Sequence, residues 1–261
     1  MNAESANLSS APRVAVLGAS NVTLGLPVIV DLLRRGWPQS PRLMVAHGHG
    51  RSYGMWTRIL IRGLPGHRES PLLKSPKDGG TNHVLLTDIG NDLVYGVNVS
   101  QIAEWVAATT RTLAEDNAEI VMTGLPLDSI RGLGRRRFLL CRTLFFPTSG
   151  LEYSQVFDMA SELNQRVQEI CHSVGGTFVE PIGDWYGLDP IHIRRSRRVE
   201  AWNHVLSHFD DWQSVDQAAI SIGDRCRLRF SRAARDSWFG RESHREDVAR
   251  TLSDGTEISF F

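Results

Sequence analysis

Apolar residues along this chain fall into short continuous runs, separated by longer stretches in which they recur every three or four positions. The runs at Arg13–Leu17, 43–46, 84–87, Glu119–Thr123 and 177–180 are rich in β-branched residues and bounded by Gly, Pro or polar turns. That pattern predicts strands buried on both faces. Between them the spacing predicts helices. The stretch 24–35 ends at Gly36, a residue suited to a C-cap. The stretch 99–115 carries Ile102, Val106 and Leu113, with Trp105 beside them. The stretch 153–174 is long and amphipathic and stops at the Gly175–Gly176 pair. Strands alternating with helices argue for a parallel sheet covered on both faces, with right-handed crossovers. There is no internal repeat.

Two regions break the alternation. Residues 125–150 form a long connection in which Arg131, Arg135, Arg136, Arg137 and Arg142 interleave with Phe138, Leu139, Leu140, Phe145 and Phe146. Connections of this length are functional or disordered, and the aromatic residues predict an ordered lid. The other region is the tail, 214–261. Its RCRLRF segment alternates basic and apolar residues and predicts a strand. The Asp254–Gly255 pair ahead of TEISFF predicts a hairpin turn and a second strand. The expected organisation is therefore a flexible stretch over 1–12, one domain over 13–213, and a C-terminal β extension over 214–261 that packs on or extends that same domain.

Composition narrows the function classes. The 261 residues carry 29 basic and 29 acidic side chains, so the formal net charge is zero. The sequence pI is about 7.1. Such a balance gives no overall pull toward nucleic acid or a membrane surface. No stretch approaches the roughly 18 apolar residues of a membrane span. The first twelve residues lack the apolar core of a leader, so none is expected. Cys141, Cys171 and Cys226 share no motif spacing. Reduced thiols and a cytoplasmic location follow as expectations.

The chemistry lies in four blocks. They are VAVLGAS ending at Ser20, LMVAHGHG ending at Gly50, VLLTDIGND carrying Asn91 and Asp92, and GLDPIH carrying Asp189 and His192. The first three read as strands running into polar turns, and open α/β sheets bind ligands at the carboxyl ends of their strands. A serine hydroxyl needs a base within hydrogen-bond reach to act as a nucleophile. His192 is that base. Asp189, three residues earlier, can bond one ring nitrogen and leave the other for Ser20. An oxyanion needs preorganised donors. The Ser20 amide before a helix, the Gly50 amide and the Asn91 side chain supply three. Each block alone is as well explained by a helix cap or a turn; the four together, in order, point to acyl-group chemistry.

Those residues carry a family resemblance. GASN at Ser20, GHGRS at Gly50, IGND at Asn91 and DPIH at Asp189 and His192 resemble the Ser, Gly, Asn and Asp-x-x-His blocks of the SGNH hydrolases, also called GDSL-type esterases. The resemblance spans about residues 13 to 212. It implies a three-layer α/β/α fold of flavodoxin-like type, with a five-stranded parallel sheet in order 2-1-3-4-5. It also implies ester hydrolysis by a Ser-His-Asp mechanism with no metal and no cofactor. The sequence departs from the family at Ala19, where an Asp usually precedes the serine, and at Ile89, where the Asn block usually has Gly.

Other readings are weaker. GASNVTLG lacks the glycines of a dinucleotide-binding turn, and the second strand runs into His47 rather than an acid. Val22 replaces the last Gly of a nucleophile elbow. His47 and His49, or His204 and His208, have ligand-like spacing but no completing Cys, Asp or Glu, so no metal site is expected. Arg194, Arg195, Arg197 and Arg198 stand where a helix should begin, which costs up to about 1 kcal/mol each. They are expected to be paired or solvated, with a basic rim for an anionic ester as the sharper alternative. Substrate contacts are expected at Arg194, Trp185 and Asp92. The expected partner is a small-molecule ester, with neither nucleic acid nor membrane, and with homo-oligomerisation through the C-terminal strand as a further expectation. Acyl transfer on the same site, or a catalytically silent binding protein, are the alternatives in function.

Overall fold

The computed structural model describes residues 11–74, 82–115, 117–132, 153–215, 219–246 and 248–261. Its centre is a parallel sheet of β1 (Arg13–Leu17), β2 (Arg42–Ala46), β5 (Asn82–Leu86), β6 (Glu119–Thr123) and β7 (Thr177–Val179), in spatial order β2-β1-β5-β6-β7. This is the expected 2-1-3-4-5 order. All five residues of β1 are buried. They alternate between layers: Val14 and Val16 join one apolar cluster, Ala15 and Leu17 the other. A strand with both faces covered has no place for a polar side chain, which is why RVAVL is apolar almost throughout.

Helices close each face. On one lie α1 (Ser20–Arg35) and α6 (Arg198–Leu206), packed with Trp185, Trp202 and Phe209. On the other lie α3 (Val99–Ala114) and α5 (Tyr153–Ser173), which meet through Ile102, Val106, Leu163 and Val167. Asn98 caps α3 by accepting the Gln101 amide. Gly36 does end α1, but in a right-handed conformation (φ −77°). Its lack of a side chain serves packing instead, because a Cβ there would lie 2.3 Å from the Trp212 ring.

The tail both follows and corrects the sequence reading. RCRLRF is not a strand. Its first five residues lie in α7 (Ile222–Arg229), with Phe230 as the C-cap; the helix is begun by the Ser221 hydroxyl, which accepts the Asp224 amide. Asp224 and Leu228, four apart, are its buried positions, and the arginines between them face solvent. The local cap outweighed the two-residue alternation. The expected hairpin forms between β10 (Ala249–Thr251) and β11 (Glu257–Phe260), around Gly255 at φ +89°. Strand β11 then pairs parallel with β2, Ile258 opposite Leu43 and Phe260 opposite Val45. The sheet thus has seven strands, two of them from the tail. Strands β8 (Arg235–Trp238) and β9 (Arg241–His244) join β3 (Thr57–Ile59) and β4 (Arg62–Leu64) in a separate antiparallel sheet. The strand expected to mediate self-association has neighbours on both sides. Among the described residues the edge strands of this sheet are β10 at that end and β7 at the other.

Of the 125–150 connection, α4 (Leu127–Arg131) is described. Arg135 to Arg137, Phe138, Cys141, Arg142, Phe145 and Phe146 lie outside the described residues. Among the described residues, no helix is long and apolar enough to cross a membrane.

Candidate active site

Ser20 is the first residue of α1, directly beyond the carboxyl end of β1, and is buried. His192 arrives from the loop after β7. Its Nε2 lies 2.9 Å from Ser20 Oγ, and its Nδ1 lies 2.5 Å from Asp189 Oδ2. The other Asp189 oxygen accepts the backbone amides of Ile191 and His192 at 3.1 and 3.3 Å. Partial burial would raise the Asp189 carboxyl. The hydrogen bond and charge of His192, with those two amides, outweigh it and hold the group below its ordinary range. A carboxylate that stays ionised keeps the imidazole in one tautomer and stabilises the imidazolium when Nε2 takes a proton.

The turn at Ser20 is held from a neighbouring strand. Asp88, just past β5, has φ +60°. Its Oδ2 accepts the amides of Ala19, Asn21 and Val22 at 2.7, 3.0 and 3.3 Å. A carboxylate on the first turn of a helix also meets the positive end of the macrodipole. Ala19 can do neither, and α1 has no acid of its own in its first turn. Asp88 therefore supplies, from 69 residues away, the carboxylate that the resemblance places at position 19. It bonds the amides on either side of Ser20, while the Ser20 amide has no acceptor among the described residues.

Asn91 opens the short helix α2 (Asn91–Val94). Its side-chain Nδ2 is buried without a hydrogen-bond partner among the described residues. Ser20, Asn91, Asp189 and Trp185 all line one cavity of about 150 Å³, whose walls are mostly apolar. Four of the sequence-derived positions thus converge on one space, and the His192 ring bridges Ser20 and Asp189 beside it.

Gly50 does not share that wall. It sits at φ +62° in the turn after β2, and its carbonyl accepts the Tyr95 hydroxyl at 2.8 Å. Asp92, expected at the substrate, also stands apart from that wall. Its side chain is fully buried and accepts the Tyr53 amide at 2.9 Å. Burial raises its carboxyl, against hydrogen bonds from Ser52 and Tyr53. It ties the loop after Gly50 to α2 and is not among the cavity-lining residues. Arg194 is likewise no lining residue. Its guanidinium donates to the Asp184 carbonyl, and its stem packs against Gly187, bracing the loop that carries Asp189. Arg197 pairs with Glu200 at 2.6 Å, and Arg198 donates to the Leu24 carbonyl at 2.7 Å. Pairing rather than a basic rim describes these two. His47 bonds Thr23 Oγ1 at 2.9 Å, and burial pushes its ring down to about 3.

The sequence reading missed Asp88 and Arg51. The Arg51 side chain, also fully buried, donates to the carbonyls of Pro65 and Phe261 and so joins the block at Gly50 to the tail. Burial, with Arg62 adding to it, lowers its guanidinium to about 9. An Asp at a strand end, just ahead of the Asn block, was the available signal for Asp88.

With this geometry in place, comparison with known proteins adds the fold class. The chain matches no protein-family model and no curated protein. Among solved structures it is similar to others of the α/β/α sandwich expected from the SGNH resemblance. One is Est24, a carbohydrate acetylesterase from Sinorhizobium meliloti, at 10% identity over 75% of this chain and 97% of that one, with a TM-score of 0.50. Another is the native aryl esterase of M. smegmatis, at 12% identity over 76% of this chain and 100% of that one, with a TM-score of 0.50. At these identities the likeness shows the fold alone: a mostly parallel sheet sandwiched between helices.

Proposed function

We propose that this chain is a serine hydrolase that cleaves carboxylic esters of small molecules. The observation that carries the reading is the chain of hydrogen bonds from Ser20 through His192 to Asp189, opening on an apolar cavity at the carboxyl ends of the strands. Ser20 Oγ attacks the ester carbonyl while His192 Nε2 takes its proton, then returns it to the leaving alcohol. Asp189 holds the ring. The Ser20 amide and Asn91 Nδ2 stabilise the oxyanion; Gly50, the third donor expected from the sequence, stands outside the cavity wall and is not assigned to the set. Water activated by His192 releases the acid. The apolar lining suits an acyl group, and the two fold neighbours are named as esterases, which supports hydrolysis over binding alone.

The test is labelling with a fluorophosphonate, with the adduct mapped by mass spectrometry, beside turnover of p-nitrophenyl esters. Ser20→Ala should abolish the adduct, and Ser20→Ala or His192→Ala should cut kcat about 10³-fold or more. Near-normal turnover in either folded variant removes the mechanism.

A further inference from the structure

Asn21 uses its whole side-chain amide to join two loops. Nδ2 donates to the Ile191 carbonyl and to Asp88 Oδ1, each at 2.8 Å, and Oδ1 accepts the Ile193 amide at 2.8 Å. Residues 191 and 193 flank His192. The backbone on both sides of the imidazole is therefore gripped by the residue that follows Ser20. A primary carboxamide offers two donors and an acceptor in one group; leucine or alanine here would offer none.

Asp88 completes the arrangement. It holds three amides of the Ser20 turn and, through Asn21, the His192 loop. Its left-handed backbone costs a non-glycine residue about 1 kcal/mol or more. Such strain persists where the surroundings over-determine it, and these four contacts do so. Ser20 and His192 lie 172 residues apart in sequence, on separate loops, yet meet at 2.9 Å. A misplacement of about 1 Å at a reacting pair can cost ~10²-fold in rate.

We propose that Asn21 and Asp88 act as one positioning unit, which sets the Ser20–His192 contact in place of an acid at position 19. The proposal rests on the roles given above to Ser20 and His192. Both residues also line the cavity, so direct contact with substrate is the rival account, and it predicts a change in KM.

The experiment compares wild type, Asn21→Leu, Asp88→Asn and the double variant, each checked for folding by circular dichroism. Two readouts are taken: kcat and KM for p-nitrophenyl acetate, and the ¹⁵N-histidine NMR signal of the His192 ring, assigned with His192→Gln. A positioning unit gives a kcat about 10²-fold lower in Asn21→Leu with KM within about threefold. It also gives a His192 Nδ1–H signal that is lost or broadened, and a double variant no worse than the worse single. A wild-type ring signal with kcat within threefold overturns the proposal. So does a loss confined to KM, and so do additive losses. If Asn21→Leu does not fold, Asp88→Asn carries the same two readouts, since it keeps the side-chain shape and one carbonyl oxygen. Full turnover in Ser20→Ala would instead remove the hydrolase reading, while the ring signal still decides the positioning role.

Discussion

Asn91→Ala separates a catalytic donor from a structural one. In the resting protein the Asn91 Nδ2 is buried and unpartnered among the described residues. An unsatisfied buried donor costs the folded state about 1–3 kcal/mol. That penalty is removed in alanine and offsets much of the lost packing, so the unfolding free energy should move by no more than about 1 kcal/mol. The transition state is different. If the amide meets a developing oxyanion, its loss should lower kcat about 10²–10³-fold, some 2.7–4 kcal/mol. Stability and activity thus part company. Asn91→Asp keeps the shape but presents an acceptor to the oxyanion, and should be slower still. Urea denaturation gives the first quantity and steady-state hydrolysis of p-nitrophenyl acetate the second. A stability loss above about 2 kcal/mol, or a kcat within tenfold of wild type, would refute the reasoning.

Three further outcomes follow from the geometry. Asp224 accepts from Ser253, Ser221 and Arg227, and its carboxyl is held low, first by the Ser253 hydroxyl, against the effect of burial. Its contribution is therefore complete above the ordinary value of 3.8 and fades as pH falls through the lower folded-state value. Asp224→Ala should destabilise by about 2–4 kcal/mol at neutral pH in urea melts, with the gap narrowing in acid. Gly50→Ala would place a Cβ 2.3 Å from the Tyr95 hydroxyl at φ +62°. It should cost about 2–3 kcal/mol by the same assay, and a change below about 1 kcal/mol would contradict the strain. Arg194→Ala should lower kcat/KM for neutral and anionic esters by similar factors, because the side chain braces a loop. A selective loss on anionic esters would instead favour substrate contact.

The core of the fold was legible because parallel strands covered on both faces are largely apolar, and β1, β2, β5 and β6 each carry a run of at least three consecutive apolar residues. The strand order came with the four-block resemblance, not from periodicity. Strands β3 and β4 were invisible: three residues each, with an exposed leucine between them, they exist through pairing with the tail. The segment at 225–230 misled because alternating arginines imitate a strand, while the cap at Ser221 fixes a helix. At the candidate site, Ser20, Asn91, Asp189 and His192 could be singled out because each sits in its own local motif, and the structure brings them together. Asp88 was not assigned, since its partners are supplied by topology. Asp92, next to Asn91 in the same block, shows the converse: adjacency in a motif put it near substrate, and one step along α2 turned it into the core.

The pairing of β11 with β2 gives the fold a timetable. During synthesis β2 is made early, and the strand that covers its outer side follows more than two hundred residues later. Until then β2 is an open edge of apolar, β-forming sequence, the kind of surface that recruits other chains. Contacts of such separation also form slowly. The nascent or partly unfolded chain is thus most prone to stick at Leu43 to Val45, and the folded chain protects that side with Ile258 and Phe260, leaving the short, exposed β10 with Arg250 at that end of the sheet.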